Sequence, residues 1–324
     1  MEIKPRLLMT RRWPDAVESE LRLRYNVTVD GDDRKLSAAE LQQAMLDFDI
    51  LCPTVSDRLD ASILSVPEPR VKLIANYGAG VDHIDLAAAK TAGLAVSNTP
   101  DVLTGATAEI AILLMLMASR RASEGERELR DDRWLGWRPT HLMGQNLTGK
   151  TLGLIGFGRI GQATAALAAR AFEMRIAYHA PRRATSEIEA ATGARFVGSI
   201  EELVAAADVL SLHCRGGAET HHLVDARLLQ RMKPSAILIN TARGTVVNEA
   251  DLAEALARRT IWAAGLDVYE REPVVSPALF DLPNVVLLPH LGSATLETRT
   301  AMGMRVVANV DRFWAGEELL DRVC

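Results

Sequence analysis

The hydrophobic pattern of the chain predicts an α/β protein. Short apolar runs alternate with stretches of helical periodicity along almost the whole sequence, which is typical of parallel strands connected by helices. The first predicted strands are RLLMT, NVTVD, DILCP, KLIANY and AVSNT, at residues 6–10, 26–30, 49–53, 72–77 and 95–99. Two predicted helices lie between them, SAAELQQAML and DLAAAKTAG, and Gly93 is expected to cap the second.

A second series of elements begins at Thr104. One long helix is predicted over residues 104–129, apolar as far as Ala118 and then charged, which suits a domain junction. A tryptophan-rich connector follows at residues 131–149. The later predicted strands are KTLGLIG, RIAYH, DVLSLHC, AILINTA, AAGLDV and NVVLLPH, with helices at roughly 159–172, 200–207, 225–231 and 249–259.

The order of these elements predicts two domains. A last helix, beginning at residue 295, is expected to return to the first domain. We therefore expect two Rossmann-like or flavodoxin-like domains with parallel sheets flanked by helices: a substrate-binding domain of residues 1–103 and 291–324, and a dinucleotide-binding domain of residues 104–290. Because ligands bind at the carboxyl ends of parallel strands, the active site is expected in the cleft between the domains.

Composition and charge exclude several classes of protein. The 324 residues are 48% hydrophobic and 24% charged, and a net charge of −5 argues against a nucleic-acid surface. Three scattered cysteines are too few for a disulfide framework or a zinc knuckle, so a reducing, cytoplasmic compartment is expected. The longest apolar run, residues 110–118, is far shorter than a membrane span of about 20 residues, and no signal peptide is expected.

A glycine-rich loop, GFGRIG at residues 156–161, predicts dinucleotide binding. It follows the strand TLGLI and opens a predicted helix, which is the context that makes this short pattern informative. Gly156 is expected to permit the tight turn, Gly158 the approach of a pyrophosphate, and Gly161 the packing of helix on strand. The helix N-terminus then offers N–H groups to the phosphates.

The stretch YHAPRR, residues 178–183, predicts which dinucleotide binds. It lies 17 to 22 residues after Gly161, where an acidic residue would accept hydrogen bonds from a ribose 2′-OH, yet it offers His179, Arg182 and Arg183 and no carboxylate. Arginines pair with a 2′-phosphate instead, so NADPH is expected as the cofactor, with NADH as a weaker alternative. The open alternative is that both arginines only cover a solvated loop. Arg215 is expected to add positive charge to the same edge.

Three polar residues follow successive predicted strands and predict hydride-transfer chemistry. Arg243, Glu272 and His290 lie in NTARGTVVN, GLDVYEREP and LPHLGSAT. Reduction of a 2-keto acid needs an arginine for the substrate carboxylate, a histidine that protonates the carbonyl oxygen, and a carboxylate that stabilises the imidazolium. The alternatives are a structural Arg–Glu ion pair and a core histidine. The occurrence of three such residues at successive strand ends argues against both alternatives.

These motifs resemble the D-isomer-specific 2-hydroxyacid dehydrogenases over essentially the whole chain. The resemblance implies catalytic roles for Arg243, Glu272 and His290. It also implies that N–H groups near Ala79 and Gly80, in NYGAGVDHIDL, receive the substrate carboxylate. The other positions implied are a substrate contact at Ser293 and cofactor contacts at Thr107, Gly156, Gly158, Arg159, Ile160, Gly161, His179, Arg182, Arg183, Cys214, Arg215, Thr220, Thr241, Ala242, Arg243, Asp267, His290 and Gly292.

Within the family, the connector and glycine loop resemble the glyoxylate/hydroxypyruvate reductases. The subgroup implies a homodimer in which Trp137 reaches the partner's active site, and a pocket shaped also by Tyr77, Leu103 and Met143. One departure is CRGGAET where the family commonly has a Leu-Thr-Pro stretch. Glu272 before Pro273 differs from formate dehydrogenases, which have a glutamine as the histidine's partner.

Two other functions remain open from the sequence. One is an NAD-dependent dehydrogenase of another 2-hydroxy acid, such as phosphoglycerate or lactate, against which the missing ribose carboxylate argues. The other is a nucleotide-sensing regulator on the same fold, which can retain the Arg–Glu–His set. No metal site is expected, because in the sequence the adjacent His221 and His222 lack converging carboxylates or cysteines, which predicts that they are surface residues.

Overall fold

The computed structural model describes residues 4–324, which form parallel strands, α-helices and two short 3-10 turns. The strands are β1 (Arg6–Met9), β2 (Asn26–Val29), β3 (Ile50–Cys52), β4 (Leu73–Ala75), β5 (Ala95–Ser97), β6 (Thr151–Ile155), β7 (Arg175–His179), β8 (Ala194–Phe196), β9 (Val209–Leu212), β10 (Ile237–Asn240), β11 (Ala263–Leu266) and β12 (Val285–Leu287). The helices are α1 (Asp15–Arg24), α2 (Ala38–Asp47), α3 (Ala61–Leu64), α4 (Leu86–Thr91), α5 (Thr104–Ser119), α6 (Ala122–Arg130), α7 (Arg159–Phe172), α8 (Ser186–Thr192), α9 (Ile200–Ala206), α10 (Ala226–Leu229), α11 (Glu249–Ala257), α12 (Pro277–Phe280) and α13 (Leu296–Trp314). The 3-10 turns are Ala218–Thr220 and Gly244–Val246.

The chain forms two compact units. The first contains Met1–Leu103 and Ala294–Cys324, and the second contains Thr104–Ser293. The boundary at which the chain returns to the first unit thus falls after residue 293, whereas the sequence predicts it after residue 290. The reason is local, since the Asp267 carboxylate accepts the N–H groups of Leu291 and Gly292 and so ties this segment to the second unit.

The first unit is a five-stranded parallel sheet with the order β2-β1-β3-β4-β5. Apolar side chains pack on both of its faces. Helix α13 contributes Val306 and Val310 to one face, beside Val17 of α1. A Cβ atom on Gly303 would lie 2.6 Å from Val17 Cγ1, so the absence of a side chain there lets α13 approach α1 closely.

The second unit is a seven-stranded parallel sheet with the order β12-β11-β10-β9-β6-β7-β8. It too has apolar clusters on both faces. After β6 the chain turns first to β7 and β8 on one side and then crosses to β9 on the other. The carboxyl end of β6 is therefore the switch point at which ligands bind in such sheets. The predicted fold class, two parallel sheets flanked by helices, is confirmed.

The single long helix predicted over residues 104–129 is wrong in one respect. Helix α5 ends at Ser119, and α6 begins after Arg121, whose φ of +55° is left-handed. The Ser119 carbonyl accepts the N–H of Gln145 from the connector at 2.8 Å, so it is used outside the helix. In the part of the chain that the structure describes, no helix is long and apolar enough to cross a membrane.

Candidate active site

The glycine loop, residues 156–161, lies at the switch point after β6, and each of its glycines has different surroundings. Gly156 has a φ of +90°, and a Cβ there would lie 2.6 Å from backbone atoms of His213 and Cys214. A Cβ on Gly161 would lie 2.7 Å from the Gly156 carbonyl oxygen. Gly158 is different, because no heavy atom lies within 4 Å of where its Cβ would be. Gly156 and Gly161 thus permit close packing, whereas Gly158 leaves open space through which a ligand can reach the backbone.

Helix α7 begins directly on this loop. Gly158 is its N-cap residue, and Arg159 and Ile160 form the start of its first turn. The Gln162 side chain donates to the Phe157 carbonyl at 2.9 Å and so fixes the loop against the helix. Since the first N–H groups of a helix have no acceptor within the helix, this end presents a partial positive charge to an anion.

The edge beyond β7 holds the predicted arginines in unequal environments. His179 Nδ1 lies 2.9 Å from the Val197 carbonyl oxygen. Arg183 forms a two-pronged ion pair with Glu189 of α8, Nε to Oε1 at 2.9 Å and Nη2 to Oε2 at 2.8 Å. For the exposed Arg182, no hydrogen-bond or ion-pair partner is found within residues 4–324. The sequence interpretation that no carboxylate belongs to this edge is therefore corrected, because Glu189 reaches it.

The residues after β9 pack beneath the glycine loop. His213 accepts or donates a hydrogen bond with Ser211 Oγ at 2.9 Å, and burial lowers the pKa of its imidazole to about 4, so the ring is neutral at pH 7. Burial likewise raises the pKa of the Cys214 thiol to about 11. Arg215 is exposed, and its carbonyl oxygen accepts the Thr220 hydroxyl at 2.7 Å. Of these residues, Arg215 places its charge at the surface.

The turn after β10 carries Arg243. Its Nη1 donates to the Ala242 carbonyl at 2.8 Å, and the Asn240 side chain donates to the Arg243 carbonyl at 2.9 Å. The next residue, Gly244, has no room for a side chain, because a Cβ would lie 1.8 Å from the Tyr269 carbonyl carbon. The Arg243 turn therefore packs directly on the segment after β11, and that segment carries Glu272.

His290 and Glu272 form a hydrogen-bonded pair, with Nδ1 of the histidine 2.8 Å from Oε2 of the glutamate. The other carboxylate oxygen accepts the N–H of Tyr269 at 3.0 Å. Burial raises the pKa of Glu272, but the hydrogen bond and charge of His290, the Tyr269 N–H and the charge of Arg243 together lower it below its ordinary value. The carboxylate is thus ionised at neutral pH. The structure brings all three predicted catalytic residues to adjacent strand ends of one sheet.

Asp267 and Thr107 organise the segment that follows His290. Asp267 is buried, and its two oxygens accept the N–H groups of Leu291 at 2.6 Å and Gly292 at 2.8 Å. The Thr107 hydroxyl donates to the Gly292 carbonyl at 3.0 Å. Burial raises the pKa of Asp267, which the two N–H groups and the nearby His290 oppose. The sequence predicts Asp267 and Thr107 as cofactor contacts. In the structure, the Asp267 carboxylate and the Thr107 hydroxyl hold the segment that follows His290.

The predicted substrate loop lies in the first unit and is held by two asparagines. The buried Asn76 donates from Nδ2 to the carbonyl oxygens of Gly78 and Gly80, both at 2.9 Å, and Asn98 donates to the Ala79 carbonyl at 2.7 Å. Among the described residues, the N–H groups of Ala79 and Gly80 have no acceptor. The carbonyls of the loop are engaged while two adjacent N–H groups remain open to an anion. Sequence reasoning missed both asparagines.

The remaining predicted positions vary in exposure. Trp137 is 82% exposed. Ser293 is partly buried, and Ala242 is buried with its N–H donated to Asn240 Oδ1 at 3.0 Å. The Thr241 hydroxyl is buried and has no hydrogen-bond partner among residues 4–324.

The interpretation of His221 and His222 as histidines without a converging carboxylate is wrong. His222 Nε2 lies 2.7 Å from Glu270 Oε1, and the His221 ring stacks on the His222 ring at 3.9 Å between centroids. One ligand-type atom of each of the three residues lies within 4.8 Å of the others. Glu270 is 48 positions from His222, so the pairing depends on tertiary structure that spacing does not reveal.

Comparison with known proteins identifies the family. The model of the D-isomer specific 2-hydroxyacid dehydrogenase, NAD binding domain, matches residues 112–292. The chain belongs to this family. A glyoxylate reductase of Thermococcus onnurineus is 40% identical over 319 residues, covering 97% of this chain and 94% of the relative. A glycerate dehydrogenase of Hyphomicrobium methylovorum is 36% identical over 316 residues, covering 98% of each chain.

A solved structure of the same family agrees with the fold. It is an NADPH-dependent glyoxylate/hydroxypyruvate reductase from Sinorhizobium meliloti in complex with NADP and malonate. It superposes with a TM-score of 0.88 at 35% identity, covering 99% of this chain and 97% of that chain. This member of the 2-hydroxyacid dehydrogenases is thus an NAD(P)-dependent oxidoreductase.

The residues present fit a nicotinamide dinucleotide. The open space beside Gly158 admits a pyrophosphate to the backbone, and the N-terminus of α7 faces the same loop. The buried Thr241 hydroxyl, for which the described residues supply no partner, needs an acceptor of the kind that a bound cofactor offers. Gly158 and Thr241 would therefore contact the dinucleotide.

Proposed function

We propose that this dehydrogenase reduces small 2-keto acids, glyoxylate to glycolate and hydroxypyruvate to D-glycerate, and prefers NADPH. The relatives named above as glyoxylate reductase, glycerate dehydrogenase and glyoxylate/hydroxypyruvate reductase support this substrate class. They act on two- and three-carbon acids by name, and this chain matches almost their full length.

The pairing of His290 with Glu272 carries the proposal. With Nδ1–H donated to the glutamate, Nε2 is the ring nitrogen left to meet substrate. A nicotinamide cofactor held at the glycine loop would supply the hydride to the keto carbon. His290 gives the proton from Nε2 to the carbonyl oxygen, and the ionised Glu272 stabilises the imidazolium before that transfer. Arg243 supplies a fixed positive charge for the carboxylate and the polarised carbonyl.

The substrate carboxylate is assigned a second contact in this proposal. Ala79 and Gly80 would donate their N–H groups to the substrate carboxylate. The loop is already fixed for this contact, because the side chains of Asn76 and Asn98 donate to its carbonyl oxygens. Adjacent backbone N–H groups bind anions well because they need no side-chain ordering. In this proposal the first unit thus contributes a contact to the substrate. The location of the active site in a cleft between the domains stays a prediction.

The preference for NADPH rests on Arg182 and Arg183. Both follow β7, and a 2′-phosphate pairs with guanidinium groups through charge-assisted hydrogen bonds. The Glu189 carboxylate is already bound to Arg183, so it does not take the place of a ribose-binding acid.

We also propose a homodimer with Trp137 at the partner's active site. The connector exposes several large apolar side chains, which a partner surface would cover: Trp134, Leu135, Trp137 and Met143, from 51% to 82% exposed. Light scattering on the purified protein measures the oligomeric state directly, and a monomer at full activity contradicts this part of the proposal.

A panel of 2-keto acids, each assayed with NADPH and with NADH, tests the function. We expect the highest kcat/KM for glyoxylate or hydroxypyruvate with NADPH. A preference for larger keto acids would overturn the substrate class, and equal kcat/KM with both cofactors would overturn the cofactor preference. Tight NADPH binding without turnover of any acid would favour a nucleotide-sensing regulator.

A further inference from the structure

Arg183 presents only one edge of its guanidinium to solvent, because Glu189 occupies the other. The carboxylate takes Nε and one hydrogen of Nη2, which are two of the five N–H donors of an arginine. The Arg183 side chain is 65% exposed, whereas that of Glu189 is 14% exposed. Arg183 Cζ also lies 5.9 Å from the centroid of the Phe196 ring. The arginine is thus held on one side by a largely buried acid and an aromatic ring.

Glu189 is itself fixed from beneath by a fully buried tyrosine. The Tyr178 hydroxyl donates to Glu189 Oε1 at 2.7 Å and accepts the Ala184 N–H at 2.9 Å. The Tyr178 ring stacks on Phe157 of the glycine loop, with 4.0 Å between ring centroids. The hydrogen bonds from Arg183 and then from Tyr178 lower the pKa of Glu189 to about 2, so it is ionised at any working pH. One continuous set of contacts therefore joins Arg183 to the loop that receives the pyrophosphate.

We propose that Glu189 and Tyr178 are positioning residues that hold the free edge of Arg183 for the 2′-phosphate and so set the strength of the NADPH preference. This inference rests on the proposed preference for NADPH. Nη1 and the second hydrogen of Nη2 form the remaining fork, which matches two phosphate oxygens. The arginine is ordered before the cofactor arrives, so less conformational entropy is lost on binding.

Glu189 has an opposing effect, because its charge repels the phosphate. A phosphate on the far edge of the guanidinium would lie roughly 7 Å from the carboxylate, where water and salt reduce the repulsion to less than about a threefold effect on affinity. Ordering an arginine side chain is worth roughly a 2- to 12-fold effect. The two ranges overlap, and we take positioning as the larger effect because the Arg183 side chain is 65% exposed and its phosphate-facing edge is solvated. Removal of the carboxylate is then expected to weaken NADPH binding.

Glu189→Gln tests the proposal, with Glu187→Gln as the matched control. Glu187 is an exposed acid in the first turn of the same helix, and its carboxylate accepts a hydrogen bond from the Ser186 hydroxyl at 3.2 Å rather than from an arginine. Steady-state kinetics give KM for NADPH and NADH, and calorimetry gives Kd for adenosine 2′,5′-bisphosphate and for AMP. We expect Glu189→Gln to raise the KM for NADPH relative to the KM for NADH about 3- to 10-fold. The Kd for adenosine 2′,5′-bisphosphate should rise relative to the Kd for AMP by a similar factor. Tyr178→Phe is expected to shift both ratios in the same direction by less.

A double-mutant cycle separates positioning from a general structural effect. In an Arg183→Ala background, Glu189→Gln is expected to leave both ratios unchanged or to lower them by less than about threefold, since the side chain to be positioned is gone and only the repulsion of the phosphate is relieved. An unchanged or lowered ratio after Glu189→Gln alone would overturn the proposal. If Arg182→Ala and Arg183→Ala weaken both cofactors equally, the NADPH preference itself fails. If Arg183→Ala is selective for NADPH and Glu189→Gln is not, only the positioning role fails.

Discussion

Alanine at Gly156 and alanine at Gly158 add the same methyl group to the glycine loop, but we expect opposite consequences. At Gly156 the φ of +90° strains a residue with a Cβ by about 1–3 kcal/mol. The Cβ would also lie 2.6 Å from backbone atoms of His213 and Cys214, and such overpacking costs roughly 1–3 kcal/mol more. At about 2–4 °C per kcal/mol for a domain of this size, the melting temperature should fall by roughly 5–20 °C.

Gly158→Ala should leave the fold intact and weaken the cofactor. The φ of −76° is ordinary for alanine, and no packed atom lies within 4 Å of the new methyl group, so the stability change should stay within about 1 kcal/mol, most of it from alanine at the N-cap of α7. The methyl group occupies the space through which a pyrophosphate approaches. We expect the Kd for NADPH to rise at least about tenfold, which corresponds to about 1.4 kcal/mol.

Thermal melting followed by circular dichroism and NADPH titration followed by fluorescence measure the two effects separately. Gly198→Ala is the control, because it too has no heavy atom within 4 Å of its Cβ position but lies outside the glycine loop. It should change neither quantity. The reasoning is refuted if Gly158→Ala melts as low as Gly156→Ala, or if it binds NADPH as tightly as the native chain.

Three further predictions concern catalysis and assembly. His290→Ala should lower kcat for glyoxylate by about 10²–10⁴ at neutral pH, whereas Arg243→Ala should raise KM as well, as measured in steady-state kinetics. Because the pKa of Glu272 is lowered in the folded protein, its contribution to stability is present above the ordinary glutamate pKa of about 4.3 and is lost as pH falls through the lowered value. The melting-temperature difference between the native chain and Glu272→Gln should therefore shrink as pH falls below about 4, and a difference that is as large at about pH 3 as at about pH 7 contradicts the pairing. Trp137→Ala should change the order of preference among keto acids and leave the Kd for NADPH within about twofold; unchanged preference removes Trp137 from the site.

Features with local physical demands could be predicted from the sequence. The strands of both sheets are short apolar runs, and the order of elements sufficed to predict two parallel sheets. The sequence predicts a tight turn at Gly156, the approach of a pyrophosphate at Gly158 and helix–strand packing at Gly161, because the demand of a strand–turn–helix junction is set within six residues. Arg243, Glu272 and His290 were placed near one another because parallel strands end at one edge of a sheet.

Features that depend on distant partners could not be predicted in this way. Helix α8 is short and mostly exposed, so it has little apolar periodicity, and its Glu189 was not connected with Arg183. The acidic stretch SEIEAATG, ending in a glycine suited to a C-cap, was the available signal for that helix. Asn76 gave no signal of its role, because the carbonyl groups that it binds converge only when the loop is folded.

The order of strands in the larger sheet separates two kinds of change by distance. From β7, beside the arginines, to β10, which precedes Arg243, there are three strand spacings, or roughly 14 Å. Residues that far apart without shared partners usually contribute additively to free energy. A substitution that exchanges NADPH for NADH at the β7 end should therefore combine with any substitution at His290 without interaction between them. Such a sheet lets coenzyme choice diverge among descendants of one ancestor while proton transfer stays the same.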